Sequence, residues 1–434
     1  MVASGAGRRI VPARHLRGSY RLPGDKSLSH RLAIFAALAE GTSRFGNFST
    51  ADDCRSTLSC LEALGARIAV DAPGRAVSIA GGGPGALHAA AHPLDAGNSG
   101  STLRMLAGVL AARPFPSVLD GDASLRARPV ERVAAPLRAM GARIATTAGR
   151  PPVTIDGGPL VGMTHTLTIP SAQVKTAILL AGLQAEGQTV VTEPAASRDH
   201  TERLLPCFGV PVWRTELSVG VKGGARPTPF DMSVPGDPSS AAFLVVAALI
   251  IPDARLRIEG VLLNPSRIAF LDVLRRMGGT IRIGIERGEP EPVGWIEAET
   301  SPLRGTDITA GEVASLIDEL PILAVAGAAA EGAFRVVGAE ELRVKESDRI
   351  VAIAEGLRNM GALVEEHADG FVIEGGRRLH GAAVRSWGDH RIAMSLAVAA
   401  LAAAFGETLI EGADCASVSF PEFFAVLGQA VEAV

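Results

Sequence analysis

Gly24-Asp25-Lys26-Ser27 opens a segment rich in alanine and leucine, and polar openings of this kind recur along the chain. The others are Gly97-Asn98-Ser99-Gly100, Ser171-Ala172-Gln173, Gly236-Asp237-Pro238-Ser239, Thr309-Ala310-Gly311-Glu312 and Gly388-Asp389-His390-Arg391. Small and polar residues of this type are typical of helix N-termini, where they satisfy free backbone N–H groups. The pattern therefore predicts six similar helices.

A second recurring segment ends in a bulky apolar residue followed by glycine. It occurs at Leu64-Gly65, Met140-Gly141, Phe208-Gly209, Met277-Gly278, Met360-Gly361 and Leu427-Gly428. Most of these glycines precede alternating β-branched stretches, such as 66–70 and 280–283, which predict strands entered from a glycine helix cap. Strands are also predicted at 166–169 and 189–192. The nearly constant spacing favours duplication over ordinary α/β alternation, and we expect two α/β domains of three units each.

Length and composition exclude several classes of protein. The chain has 434 residues, of which 47% are hydrophobic and 20% charged, as is typical of a globular protein with more than one core. A net charge of −4 provides no general basic field for nucleic acid. The longest apolar run, Ala241 to Ile251, is shorter than the roughly 20 residues of a membrane span. With no signal-like apolar segment at the N-terminus, we expect a cytoplasmic protein.

The cysteines indicate neither a disulfide framework nor a metal site. Their spacing contains no C-x-x-C pair. They are Cys54, Cys60, Cys207 and Cys415.

Several cations occur where an anion could bind. Lys26, Ser27 and Arg31 lie within about one turn of a predicted helix start, although the spacing from Gly18 to Gly24 excludes a nucleotide P-loop. If residues 343–349 were helical, Lys345 and Arg349 would share one face. Each patch alone is better explained as a solvated surface, but six helix N-termini directed at one place would form an anion site.

Three more residues stand out from their surroundings. Arg128 precedes Pro129 in an extended backbone and could form a rigid fork for phosphate or carboxylate. Arg391 lies in a helix first turn that disfavours a cation, which a bound anion would explain. Asp318 interrupts the apolar stretch 313–323, where an unpaired carboxylate is costly or has a shifted pKa.

Seven segments together resemble the 5-enolpyruvylshikimate-3-phosphate synthase family, in its divergent bacterial branch. They are Pro-Gly-Asp-Lys-Ser-Leu-Ser-His-Arg at 23–31, Gly-Asn-Ser-Gly-Ser-Thr-Leu-Arg at 97–104, Asp-Gly-Asp-Ala-Ser-Leu-Arg-Ala-Arg-Pro at 120–129, Ser-Ala-Gln-Val-Lys at 171–175, Ser-Arg-Asp-His-Thr at 197–201, Arg-Val-Lys-Glu-Ser-Asp-Arg at 343–349 and Asp-His-Arg-Ile-Ala-Met at 389–394. The resemblance implies two domains of three βαβαββ units. Residues 22–236 would form one domain and residues 1–21 with 237–434 the other, with the active site in the cleft between them.

The resemblance also implies a reaction and its residues. The carboxyvinyl group of phosphoenolpyruvate would pass to the 5-hydroxyl of shikimate 3-phosphate, with release of phosphate and without metal or cofactor. By similarity, shikimate 3-phosphate is held by Lys26, Ser27, Arg31, Ser171, Ala172, Gln173, Arg198, Asp318 and Lys345. By similarity, phosphoenolpyruvate is held by Lys26, Asn98, Gly100, Arg128, Gln173, Arg349 and Arg391. The family pattern makes Asp318 the base and Glu346 the acid, with Lys26 assisting, whereas spacing alone leaves those two roles interchangeable.

The chain departs from the family pattern at three positions, because Val418 replaces a lysine, His200 a tyrosine and Ala172 a serine found in other members. We expect a monomer that is inhibited by glyphosate and binds neither nucleic acid nor membranes.

One alternative function is that of a UDP-N-acetylglucosamine enolpyruvyltransferase. Against it, Ser27 stands where the Lys-Asn pair of that enzyme would require asparagine, and residues 113–128 hold no cysteine. Another alternative is a non-catalytic, clamp-like ring protein built from repeated α/β units, a function in which Asp318 and Glu346 would have no role.

Overall fold

The computed structural model describes residues 7–71 and 75–432, which divide into two compact units. The continuous unit is Pro23–Val234. The split unit consists of the residues up to Leu22 together with those from Pro235 onward.

The helices alternate with strands along the chain. In order, the helices are α1 (Lys26–Leu38), α2 (Asp52–Ala63), α3 (Gly100–Leu110), α4 (Ala123–Arg126), α5 (Glu131–Ala139), α6 (Ala172–Gly182), α7 (His200–Leu204), α8 (Pro238–Ile250), α9 (Ala269–Arg276), α10 (Ala310–Leu316), α11 (Leu320–Ala329), α12 (Arg349–Asn359), α13 (His390–Leu401) and α14 (Phe423–Glu432). The strands are β1 (Arg8–Ile10), β2 (Leu16–Arg21), β3 (Glu40–Gly46), β4 (Arg67–Asp71), β5 (Ala76–Gly82), β6 (Leu94–Asp95), β7 (Pro116–Asp120), β8 (Arg143–Thr147), β9 (Arg150–Asp156), β10 (Thr164–Thr166), β11 (Gln188–Thr192), β12 (Val212–Arg214), β13 (Ser218–Lys222), β14 (Met232–Ser233), β15 (Ala254–Leu262), β16 (Thr280–Arg287), β17 (Val293–Glu299), β18 (Asp307–Ile308), β19 (Ala333–Val336), β20 (Leu363–His367), β21 (Gly370–Glu374), β22 (Ala383–Arg385) and β23 (Thr408–Glu411).

The strands of the described residues form three sheets in each unit. Those of the continuous unit are β14-β3-β5-β4, β6-β7-β9-β8 and β10-β11-β13-β12, and those of the split unit are β16-β17-β15-β2, β18-β19-β21-β20 and β1-β23-β22. Each four-stranded sheet has one parallel pair at one edge and two antiparallel pairs beyond it, as in β6-β7-β9-β8, where Leu94 is opposite Leu119. The prediction of six repeated α/β units is confirmed.

Three helices in each unit are buried on nearly every side. They are α1, α3 and α6 in the continuous unit and α8, α11 and α13 in the split unit. Their alanine and glycine content permits close packing, because a methyl group added at Gly108 of α3 would overlap the backbone of Ala177 in α6. Five of these helices begin with polar residues in the first turn, whereas α11 begins with Leu320 and Pro321.

The glycine helix caps are confirmed at five of the six predicted positions. Gly65, Gly141, Gly209, Gly278 and Gly361 all have positive φ angles, which glycine adopts without steric cost. The prediction at Gly428 is wrong, because this residue lies inside α14. Leu427 and Ala430 are both buried, so the helical apolar period continues past the glycine.

Three other predicted boundaries also need correction. The opening at 309–312 begins the short helix α10, whereas the buried helix α11 begins only at Leu320. The strand predicted at 166–169 is β10, which begins earlier, at Thr164, and ends at Thr166. Finally, a separate turn at 340–344 precedes α12, so Lys345 and Arg349 do not share a helix face. Every helix among the described residues is too short or too polar to cross a bilayer.

Candidate active site

Side-chain caps fix the first turns of the three buried helices of the continuous unit. Asp25 accepts a hydrogen bond from the Leu28 amide at 2.7 Å, and Ser99 accepts one from Thr102 at 3.1 Å. Ser171 caps α6 in the same way. The polar openings therefore form helix N-termini, as the sequence predicts.

Two arginines converge on the backbone of Gly100. Arg128 donates from Nη2 to Asn98 Oδ1 at 2.7 Å, and Arg104 donates from Nη1 to Gln173 Oε1 at 3.2 Å. A methyl group at Gly100 would overlap Arg104 Nη1 and lie 3.6 Å from Arg128 Nη1. We call these five residues the Gly100 cluster. It places two guanidinium groups against the backbone of Gly100, which carries no side chain of its own.

Lys26 and Arg31, both on α1, are held by different partners. Lys26 Nζ lies 2.8 Å from Asp53 Oδ2, and both side chains are largely buried. Arg31 is buried and donates to Thr201 Oγ1 at 2.9 Å and to Thr176 Oγ1 at 3.0 Å. It also donates to the carbonyl oxygens of Ser27 and Ala172. Arg31 therefore ties α1 to the first turn of α6 and to α7.

A buried hydrogen-bond chain joins α1, α2 and α3 beneath these residues. His30 Nδ1 lies 2.7 Å from Thr57 Oγ1, and Thr57 Oγ1 lies 2.6 Å from Thr102 Oγ1. Burial, together with the charges of Lys26 and Arg31, holds the pKa of His30 well below its usual value. A neutral His30 therefore takes part in the chain at neutral pH.

Replacement of His30 by asparagine should reduce the loss of stability in mild acid. The pKa of His30 is lower in the folded protein than in the unfolded chain, so below about pH 6.5 the unfolded chain binds a proton that the folded protein does not. The free energy of unfolding therefore falls with pH, by up to roughly 1.4 kcal/mol per pH unit. Denaturant unfolding at neutral pH and about two units lower measures this loss. We expect His30→Asn to lose about 1 kcal/mol less than the wild type over that interval. Equal losses in the two proteins would contradict the assignment.

Arg349 lies at the centre of a second cluster, in the split unit. Its side chain is 1% exposed and donates from Nε to Asp389 Oδ2 at 2.8 Å and from Nη2 to Glu346 Oε2 at 2.6 Å. Its Nη1 lies 3.8 Å from Asp318 Oδ1 and has no hydrogen-bond partner among the residues that the structure describes. A buried donor in this state favours an acceptor from a ligand.

The ion pair between Arg349 and Asp389 keeps both side chains charged although they are buried. Burial opposes ionisation of both groups, but mutual attraction raises the pKa of Arg349 and lowers the pKa of Asp389. Both side chains are therefore charged at neutral pH. Asp389 also accepts a hydrogen bond from the Arg391 amide at 2.9 Å and so caps α13.

Arg391 is held by the segment that connects α10 to α11. It donates from Nη1 to the carbonyl oxygen of Asp318 at 2.7 Å, while its Nη2 lies 3.6 Å from Asp318 Oδ2. Glu319 Oε1 lies 3.7 Å from Arg391 Nη1. The sequence interpretation required a bound anion to explain a cation in this first turn, and the structure shows that carboxylates of the protein already accompany it. We call Asp318, Glu346, Arg349, Asp389 and Arg391 the Arg349 cluster.

The carboxylates of the Arg349 cluster differ in accessibility. The Asp389 side chain is fully buried, whereas the Asp318 and Glu346 side chains are 22% and 17% exposed. Asp318 follows α10 and precedes α11, and it therefore does not lie inside an apolar helix. Asp318 and Glu346 can thus exchange protons with a ligand while Asp389 holds Arg349.

Two further predicted residues, Arg198 and Lys345, lie outside the α-helices and strands. Arg198 is half-buried in the loop between β11 and α7. Lys345 Nζ lies 3.3 Å from Glu341 Oε1, in a segment that is not an α-helix. Sequence reasoning missed Asp53 and Glu319, because neither stands out from its neighbours in type or spacing. The described residues contain no cluster suited to a metal ion, and the cysteines are free thiols.

The fold is that of the enolpyruvyl transferases. The chain superimposes on an EPSP synthase from Acinetobacter baumannii with a TM-score of 0.86 and 41% sequence identity, and the match covers 98% of each chain. It also resembles the enolpyruvyl transferase NikO from Streptomyces tendae, with a TM-score of 0.80 over 98% of each chain. At 20% identity, that second likeness concerns the fold alone. The predicted α/β fold of repeated units is confirmed.

Sequence similarity identifies the family within this class. A family profile described as EPSP synthase (3-phosphoshikimate 1-carboxyvinyltransferase) matches residues 10–427. The 3-phosphoshikimate 1-carboxyvinyltransferase of Koribacter versatilis is 50% identical over 98% of this chain and 99% of its own length. That of Solibacter usitatus is 50% identical over 98% of this chain and its entire length. The chain belongs to the EPSP synthase family, which confirms the resemblance drawn from its motifs.

Proposed function

We propose that this chain transfers the enolpyruvyl group of phosphoenolpyruvate to the 5-hydroxyl of shikimate 3-phosphate and releases phosphate. The relatives named above support the reaction, and the Arg349 cluster is the observation that carries the chemistry. There, two buried arginines hold two partly accessible carboxylates. Arginines provide charge for anionic substrates, and carboxylates provide proton transfer.

Residues of the continuous unit are proposed to hold shikimate 3-phosphate. Ser27, Ser171 and Gln173 lie at first turns of α1 and α6, where N–H groups and the helix dipole favour anions. Lys26, Arg31, Ala172 and Arg198 complete the proposed set, with Asp318 and Lys345 from the split unit. In this account Arg31 acts largely by fixing the carbonyl oxygens of Ser27 and Ala172.

The Gly100 cluster, with Lys26, is proposed to hold phosphoenolpyruvate. Arg128 is positioned by Asn98, and the absence of a side chain at Gly100 leaves the backbone close to both guanidinium groups, where a small anionic ligand would bind. From the split unit, Arg391 and the unsatisfied Nη1 of Arg349 would bind further oxygens. A lysine present in other members is absent at Val418, so these arginines carry more of the phosphate charge.

Proton transfer is assigned to Asp318 and Glu346. Asp318 would accept the proton of the 5-hydroxyl while the hydroxyl oxygen bonds to the enol carbon of phosphoenolpyruvate. Glu346 would donate a proton to the methylene carbon, which becomes a methyl group. Glu346, now a carboxylate, would then take back one methyl proton as phosphate leaves and the double bond is restored. The proton on Asp318 would leave with the phosphate. Lys26 would assist by stabilising negative charge on the transferring oxygens.

The other sequence expectations complete the proposal. The proposed domains are residues 22–236 and residues 1–21 with 237–434. The protein is proposed to be a cytoplasmic monomer inhibited by glyphosate. A UDP-N-acetylglucosamine enolpyruvyltransferase or a non-catalytic clamp is not favoured, because the relatives named above are 50% identical over nearly the whole chain and carry a different activity in their names.

A phosphate-release assay tests the proposal. Purified protein supplied with both substrates should release phosphate in proportion to enzyme, and omission of either substrate should abolish release. Release from phosphoenolpyruvate without an acceptor would indicate a phosphatase instead. No release under any condition would overturn the proposed function.

A further inference from the structure

Lys175 forms a buried charge cluster that the proposed mechanism does not use. It lies in the first turns of α6, and its Nζ is 2.7 Å from Glu193 Oε2 and 2.6 Å from Glu202 Oε1. The three side chains are between 4% and 6% exposed. Such burial is costly for charged groups unless each has a close partner. We call these residues the Lys175 clamp.

The clamp joins the two ends of an irregular loop. Glu193 follows directly after β11, and Glu202 belongs to α7. The segment 194–199 between them contains neither helix nor strand, and it carries Arg198. An irregular segment is free to adopt many conformations unless its ends are fixed. One ammonium group therefore fixes both ends of the loop that presents Arg198.

The clamp is also connected to residues of the proposed shikimate 3-phosphate site. The second oxygen of Glu193 accepts a hydrogen bond from the Ser171 amide at 3.1 Å. Thr201, adjacent to Glu202, accepts from Arg31 Nε at 2.9 Å. The clamp thus connects the cap of α6, the Arg198 loop and Arg31 within the continuous unit.

The clamp holds one carboxylate more than it has ammonium groups. Burial raises the pKa of Glu202, an effect that Lys175 opposes, and Glu202 Oε2 has no hydrogen-bond partner among the described residues. A purely structural pair would need only one carboxylate. The second one extends the contact to α7, which is the element beyond the loop.

We propose that Lys175 is a positioning residue that sets the geometry of Ser171 and Arg198 for the phosphorylated acceptor substrate. The inference rests on the proposed function, because it assigns the clamp to one substrate of that reaction. Lys175 does not contact the reacting atoms. Loss of the clamp therefore affects binding of shikimate 3-phosphate and leaves binding of phosphoenolpyruvate largely unchanged.

Steady-state kinetics of Lys175→Met test this division. We expect the KM for shikimate 3-phosphate to rise by about tenfold or more, while the KM for phosphoenolpyruvate changes less than about twofold. Lys175→Arg should recover much of the loss, because a guanidinium group can donate to both carboxylates. Lys222→Met, at an exposed lysine on β13 of the same unit, is the matched control and should resemble the wild type.

Lys175→Met could misfold, because it leaves two buried carboxylates without their partner. A second variant and a second measurement therefore separate a loss of positioning from misfolding. The neutral variant Lys175→Met/Glu193→Gln/Glu202→Gln keeps the shape and removes the charges. In both variants, amide hydrogen exchange in residues 193–202 should accelerate by about tenfold or more relative to the interior of α6.

Two results would overturn the inference. One is a folded neutral variant with wild-type KM values and wild-type exchange. The other is an equal loss of protection throughout the continuous unit, which would assign the clamp to general stability. Absence of phosphate release by the wild type would instead overturn the proposed function. Amide hydrogen exchange in residues 193–202 would then still show whether the Lys175 clamp fixes this loop.

Discussion

Asp318→Asn and Glu346→Gln should each reduce kcat by about a thousandfold while leaving the KM for either substrate within about threefold of the wild type. Both substitutions retain the size of the side chain and remove its ability to exchange a proton. The hydrogen bond from Arg391 to the backbone carbonyl oxygen at 318 is kept in Asp318→Asn. Substrate-binding arginines should therefore stay in place while the chemical steps slow.

Steady-state phosphate release with each substrate varied in turn measures these effects. Asp307→Asn is a suitable control, because Asp307 is an exposed carboxylate of the split unit paired with Arg335. Exposed pairs of this kind contribute little, and we expect normal kinetics. A variant of Asp318 or Glu346 with near-normal kcat would lose its place in the proton-transfer scheme.

Gly100→Ala should weaken inhibition by glyphosate by at least about tenfold, or roughly 1.4 kcal/mol of binding energy. The added methyl group overlaps Arg104 Nη1 and lies near Arg128 Nη1, so it occupies space between two guanidinium groups. The far end of Arg104 can move, but the backbone cannot. Phosphoenolpyruvate binding should weaken as well, by a smaller factor.

Inhibition constants and the KM for phosphoenolpyruvate, measured for both proteins under identical conditions, test this prediction. Gly158→Ala offers a control in the same unit, because a methyl group there meets no atom within 4 Å. Equal inhibition constants for the wild type and Gly100→Ala would contradict the steric argument. A loss of phosphoenolpyruvate affinity that exceeds the loss of inhibitor affinity would contradict it as well.

Local patterns predicted the repeated fold because each unit carries its own start and stop signals. Five glycines adopt the positive φ angles that end helices, and the polar openings at Asp25, Ser99 and Ser171 act as helix caps. The errors arose where local signals compete. The capping residue Thr309 begins a short helix, and the buried helix α11 begins separately at Leu320 without a side-chain cap.

The site was less predictable, because its geometry depends on contacts between distant segments. Asp318 drew attention as a lone carboxylate among apolar residues, but its neighbour Glu319, which is more deeply buried, gave no separate signal. Arg349 was expected to share a helix face with Lys345. It is held instead by Asp389, forty positions away in the sequence, and only the fold brings those residues together.

Identification of the reaction product by mass spectrometry tests the central claim most directly. Incubation of the purified protein with phosphoenolpyruvate and shikimate 3-phosphate should yield an acceptor in which one hydroxyl hydrogen is replaced by a carboxyvinyl group, with one phosphate released per product. The same mixture with UDP-N-acetylglucosamine as acceptor should yield no adduct. An adduct on the nucleotide sugar would contradict the account. Shikimate 3-phosphate that stays unchanged after prolonged incubation with the wild-type protein would contradict it as well.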